Sequence, residues 1–109
     1  MAADASQLDR LFATIAARKG ADAASSWTAK LLAGGVPRCA QKLGEEMVET
    51  VIAAMQGDAE ATVSESADLL YHWLVLLAAL EIDPADVYAE LARREGQSGL
   101  DEKAARKPS

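Results

Sequence analysis

Two long runs of helical hydrophobic periodicity, separated only by a glycine-containing step, constrain this chain more than any other feature. Residues 37–56 carry Leu43, Met47, Val48, Val51, Ile52 and Met55 at spacings of three and four. These spacings gather them on one broad face, with Lys42, Glu45, Glu46 and Glu49 opposite. Pro37 suits a first helical turn, and Gly57 a stop. Asp58 then caps a further helix to about residue 81. Its first half is predicted to turn Val63, Ala67 and Leu70 inward, and Glu65 and Asp68 to another face. So short a connection, Gln56 to Asp58, favours antiparallel packing of the two helices. Gly44 costs roughly 1 kcal/mol against alanine inside its helix. Simple tolerance is the expected reason, and close approach of another backbone the alternative.

Shorter elements flank this pair. A helix is expected over residues 6–18, with Leu8, Leu11, Phe12 and Ile15 on one stripe and Ser6 with Asp9 resembling a capping box. Arg18 and Lys19 fall near its carboxyl end, and Gly20 permits the stop. Residues 25–32 read as a short helix or turn carrying Trp27 and Leu31, broken by Gly34, Gly35 and Pro37. Asp83 followed by Pro84 opens a helix to about residue 95 with a thin stripe of Val87 and Leu91. Residues 96–109 form a polar tail with local helix allowed. Leu69, Trp73, Leu74, Leu76 and Leu77 surround the axis almost completely. Such a belt demands apolar neighbours on most sides, more than one small chain is expected to supply. The expectation is therefore one all-α domain, 1–109 with its core over 6–95: an antiparallel bundle of four to five helices completed by homo-oligomerisation.

Composition narrows the function. Alanine and leucine carry much of an apolar fraction of 50%, while aromatics make up 5%, which favours helices over strands. A net charge of -6 argues against coating a nucleic-acid polymer, which needs a basic surface. It leaves a nucleotide substrate open, because a metal can supply positive charge. Cys39 is the only cysteine, so no internal disulfide can form, which fits a reducing compartment. The first residues, with Asp4 and Asp9, lack the regions of a signal peptide, and the apolar run 69–80 is too short to span a bilayer. A cytoplasmic protein with no membrane partner is expected.

The chemistry-bearing pattern is Glu46-x-x-Glu49 followed by Glu65-x-x-Asp68. Residues three apart on a helix address the same neighbouring volume, and an antiparallel hairpin brings the two pairs to similar heights. Four carboxylates sharing one volume repel unless compensated. Magnesium, or manganese in its place, takes oxygen ligands and commonly bridges carboxylates to substrate phosphates. Glu45 could complete such a site or act as an outer base; Glu45, Glu46 and Glu49 are the candidate catalytic residues. The plain alternative is a solvated acidic stripe on a helical interaction module. His72, one turn beyond Asp68, either orients that carboxylate, reaches a phosphate or is structural. Lys30, Arg38, Lys42 and Arg94 are further phosphate candidates. Cys39 reads as packing, a single cysteine with a single histidine makes no zinc site, and no GxxxxGK loop is present. Ser25 and Ser26 have no base beside them for covalent catalysis.

The segment Gln41-Lys42-Leu43-Gly44-Glu45-Glu46-Met47-Val48-Glu49 resembles the first metal-binding helix of the phosphoribosyl-ATP pyrophosphohydrolase family. The segment Glu65-Ser66-Ala67-Asp68-Leu69-Leu70-Tyr71-His72 resembles the second. Ser26-Trp27-Thr28 with Lys30-Leu31-Leu32 is similar to the family's amino-terminal segment, where tyrosine is more usual than Trp27. Glu90-Leu91-Ala92-Arg93-Arg94 and Ser98-Gly99-Leu100 match its carboxyl-terminal pattern. The paired carboxylates alone mark the broader MazG-like superfamily of nucleotide pyrophosphohydrolases. The resemblance implies conversion of phosphoribosyl-ATP and water to phosphoribosyl-AMP and pyrophosphate, the second step of histidine biosynthesis. It also implies magnesium dependence, Glu46, Glu49, Glu65 and Asp68 as metal ligands with Glu45 assisting, and a homodimer or higher assembly. A housekeeping pyrophosphatase of nucleoside triphosphates is the enzymatic alternative.

Overall fold

In the computed structural model, five helices follow one another: α1 (Gln7–Ala17), α2 (Trp27–Ala33), α3 (Gly35–Met55), α4 (Ala59–Leu80) and α5 (Pro84–Arg94). The structure describes residues 2–97, Gly99, Lys103, Ala104 and Arg106, and these contain no strand. Ser98, Leu100, Asp101 and Ser109 of the expected tail and its motif lie outside the described residues.

Local chemistry sets the helix ends. Ser26 accepts from the Ala29 amide at 3.2 Å to cap α2. Asp58 does the same for α4 through Ala61 at 2.9 Å, and Asp83 for α5 through Ala85 at 2.9 Å. Each such cap stabilises its helix by roughly 1 kcal/mol. The Ser6–Asp9 capping box does not form. Ser6 is already helical and makes no side-chain cap bond; its own amide and hydroxyl donate instead to Asp4 Oδ1 at 2.9 and 2.5 Å. A carboxylate two residues upstream competes better for those donors than the shorter Asp9 does for its part of the box.

Only Gly34 separates α2 from α3, so α3 starts at Gly35 rather than at Pro37. The junction tolerates nothing larger: a Cβ on Gly34 would lie 2.9 Å from Arg38 Cβ. Gly57, with φ of 70°, makes the three-residue step into α4, and the expected hairpin follows.

The core sits where α1, α2 and α3 meet the carboxyl-terminal half of α4. Ile15, Leu31, Cys39, Leu74, Val75 and Ala78 form its buried cluster, and Leu8, Leu11, Phe12, Tyr71, Trp73 and Leu76 pack against it. Full burial of a side chain such as Leu74 contributes about 2–3 kcal/mol. Cys39 is indeed packing, its thiol donating to Leu31 O at 3.3 Å. Within the belt around residues 69–80, Leu74, Val75 and Ala78 are covered by the chain itself, Leu69, Trp73 and Leu76 are half-buried, and Leu70 and Leu80 are each 43% exposed. Lys19 finishes α4 from outside, donating to Ala78 O at 3.2 Å and Glu81 Oε1 at 3.1 Å.

The apolar faces of the hairpin turn the other way. Met47, Val48, Val51, Ile52 and Met55 are 50–83% exposed, and Val63 is 72% exposed. Ala67 and Leu70 also reach solvent, against the inward placement predicted for Val63, Ala67 and Leu70, and Leu91 of the thin α5 stripe is 63% exposed. The faces that meet across the α3–α4 contact carry Glu46, Thr50 and Glu65 instead. Periodicity shows which residues share a face, and not which face the rest of the same chain covers. Gly44 lies at the spacing of the exposed α3 face, and a Cβ there would meet nothing within 4 Å among the described residues. That fits tolerance rather than close approach within the chain.

By length and composition α4 is apolar enough to cross a membrane, with 22 residues and an 18-residue stretch of mean hydropathy 1.3. The run 69–80 considered alone understates this. Glu65 and Asp68 near its middle would each cost about 2.5–3.5 kcal/mol or more at a bilayer centre. Its carboxyl-terminal half is instead the centre of the bundle.

Candidate active site

The α3–α4 hairpin brings together what the sequence holds apart. Ligand oxygens of Glu46, Glu49 and Glu65 all lie within 4.8 Å of one another. Thr50 ties the two helices at this level: its hydroxyl is 2.8 Å from Glu46 O and 3.2 Å from Glu65 O. This staple went unnoticed in the sequence, although a threonine four residues after Glu46 is the spacing for a bond to that carbonyl. Beside the carboxylates, Glu49, Ile52, Ala53, Gln56, Ala61 and Glu65 line a cavity of about 230 Å³. A larger cleft of about 430 Å³ near Leu8, Tyr88 and Leu91 is mostly apolar and distant in sequence from every carboxylate of the motif.

Electrostatics reports the crowding. Glu46, whose side chain is 12% exposed, has its pKa pushed up to about 7, by burial first and then by Glu49, Asp68 and Glu65. Burial and Glu49 likewise raise Glu65. Asp68 is exposed and stands outside the closest three, yet near enough to act on Glu46, Glu65 and His72. Glu46 Oε2 and Glu65 Oε2 are buried without a hydrogen-bond partner among the described residues. Converging, mutually repelling carboxylates with orphaned oxygens fit a hard divalent cation.

The remaining candidates distribute unevenly. Glu45 is exposed and paired with Lys42 at 3.2 Å. Lys42 is the candidate cation nearest the site electrostatically, since it helps to lower the pKa of His72, after burial. His72 is 6% exposed, and its Nε2 faces Glu46 Oε1 at 3.9 Å. That position is behind Glu46 rather than out toward solvent. Lys30 lies over the exposed Trp27 ring at 5.7 Å. Arg38 donates to Gln41 at 3.4 Å, and Arg94 to Glu90 at 2.8 Å.

Comparison with known proteins places the chain in a family. The family model of phosphoribosyl-ATP pyrophosphohydrolase matches residues 8–95. The chain belongs to that family. A phosphoribosyl-ATP pyrophosphatase of Parvibaculum lavamentivorans is 81% identical over 106 residues, covering 97% of either chain. One from Dinoroseobacter shibae is 62% identical over 101 residues, covering 93% of this chain and 99% of its own. The pyrophosphohydrolase family match contains both carboxylate pairs, Lys42, Trp27 and His72, and ends short of Ser98-Gly99-Leu100.

Proposed function

We propose that the protein hydrolyses phosphoribosyl-ATP to phosphoribosyl-AMP and pyrophosphate, the second step of histidine biosynthesis. Its cytoplasmic location follows from that reading. Family membership along residues 8–95 carries the substrate. The convergence of Glu46, Glu49 and Glu65 across the hairpin supports the chemistry.

Glu46, Glu49, Glu65 and Asp68 would hold magnesium, with manganese as a substitute. When bound, the ion offsets charge on the phosphates and polarises the phosphoanhydride toward attack. The protein's own groups do the rest. Thr50 fixes the separation of the helices, and so of the carboxylates they carry. Water attacks the phosphorus nearest the ribose, the bond to the outer two phosphates breaks, and pyrophosphate leaves. Glu45, next to Glu46 and paired with Lys42, would complete the site or take the proton from that water. Lys42 is the first candidate to meet the triphosphate, with Lys30, Arg38 and Arg94 as further candidates.

A second copy covers the outer face of α3. Met47, Val48, Val51, Ile52 and Met55 form a contiguous apolar surface that a lone soluble chain rarely leaves open.

Incubation of the folded, magnesium-loaded protein with phosphoribosyl-ATP should release pyrophosphate and phosphoribosyl-AMP. Absence of turnover would sink the reading, and a higher kcat/KM for an ordinary or damaged nucleoside triphosphate would replace the substrate.

A further inference from the structure

Thr28 and Tyr71 have no part in the reaction as proposed, yet they connect through His72 to its most buried carboxylate. Thr28 Oγ1 and Tyr71 Oη are 2.5 Å apart in a half-buried contact that joins α2 to α4. The Tyr71 ring meets the His72 ring edge-on, with centroids 4.9 Å apart and planes at 76°. His72 in turn presents Nε2 to Glu46 Oε1 at 3.9 Å.

An imidazole beside a reacting or metal-binding carboxylate is commonly oriented by a hydrogen bond from its second ring nitrogen. Here that device is missing: Nδ1 of His72 is buried and has no partner among the described residues. The orientation of the ring therefore falls to packing, and the Tyr71 edge is the aromatic surface against it. A tyrosine ring can rotate about its side-chain bonds unless its hydroxyl is tied, and Thr28 ties it. Glu46 needs such backing, because its Oε2 is likewise unpartnered among the described residues.

Resting on the reaction proposed above, we infer that Thr28 and Tyr71 are positioning residues, which hold His72 against Glu46 and so keep that carboxylate aimed into the cluster. The seven-residue helix α2 thereby becomes part of the site's support, although it carries no carboxylate.

The test uses Thr28→Val and Tyr71→Phe, each of which deletes one hydroxyl at nearly constant shape, with Thr28→Ser as the conservative control. A net hydrogen bond of ordinary strength predicts that kcat falls about three- to tenfold with KM nearly unchanged. The double variant should lose no more than either single one, because both remove the same bond. His72 is the only histidine, so its ring resonances can be read without assignment in the metal-free protein. They should shift or broaden in Thr28→Val and Tyr71→Phe, and match the parent in Thr28→Ser. Parent-like kcat in both variants would overturn the proposal. So would a loss of kcat with unchanged His72 resonances, or equal damage from Thr28→Ser and Thr28→Val. If Tyr71→Phe fails to fold, the contrast between Thr28→Ser and Thr28→Val decides alone. Should the parent not turn over phosphoribosyl-ATP at all, the reaction is wrong; the ring resonances still show whether Thr28 and Tyr71 hold His72.

Discussion

Replacing Glu46 by glutamine should make the metal-free protein more stable, and only above the ordinary carboxylate range. Folding raises this carboxyl from 4.5 to about 7, so between those values the folded chain holds a proton that the unfolded chain has released. Stability must then fall as pH rises through that window, and the full cost is present above about pH 7. At about 1.4 kcal/mol per pH unit, the difference sets a ceiling of about 3 kcal/mol. Solvent reaches a side chain that is 12% exposed, so a gap of about 2 kcal/mol is expected. At roughly 4–8 °C per kcal/mol for a domain of this size, Tm should differ by on the order of 10 °C. Glutamine keeps the shape and removes the charge, so Glu46→Gln should lack this loss while sharing the rest of the titration. Thermal unfolding followed by circular dichroism, in chelator and at one protein concentration, gives the curve. The parent and the variant should coincide at about pH 4, below the unfolded carboxyl's titration, and be fully separated by about pH 8. Magnesium should then close the gap by stabilising the parent more, because binding to the native state alone raises stability. A gap that is the same at every pH, or a parent that gains on the variant as pH rises, would refute the reasoning.

Three further outcomes follow from the same geometry. Glu49→Gln and Asp68→Asn should keep their helicity and lose more than the roughly 10–100-fold in pyrophosphate release that outer-shell changes at metal sites cost; parent-like rates in both would defeat the ligand assignment. Val51→Lys, on a residue 60% exposed in one chain, should leave sedimentation at micromolar concentration monomeric, whereas a retained dimer would move the interface off α3. Leu74→Ala, at a side chain with 0% exposure, should cost about 2–5 kcal/mol by denaturant unfolding, and a cost below about 1 kcal/mol would show that this part of the core can collapse.

The helices, their caps and the hairpin were legible because they depend on neighbours in sequence. Asp58 and Asp83 each cap the helix they precede as their spacing suggests, Gly57 turns with positive φ, and Pro84 opens α5, whereas the Ser26 cap of α2 was not read from the sequence. Spacing also carried the carboxylates: Glu46 and Glu49 come within reach of Glu65 because a short loop forces the two helices side by side. Even the short upstream contest at Ser6, won by Asp4, needed atoms rather than letters to resolve.

What only the tertiary structure decided is which face of each long helix meets its own chain. The sequence determines that Met47, Val51 and Met55 lie opposite Glu46 on α3, and it determines the apolar belt of α4. It cannot say that α1 and α2 cover part of the belt while the α3 face stays open, since hydrophobic burial has no direction and accepts any cover. Nor could spacing reveal that His72 lies against Glu46, or that Thr28 reaches Tyr71 from another helix. Those contacts arise from packing between segments far apart in the chain, where periodicity ends and shape decides.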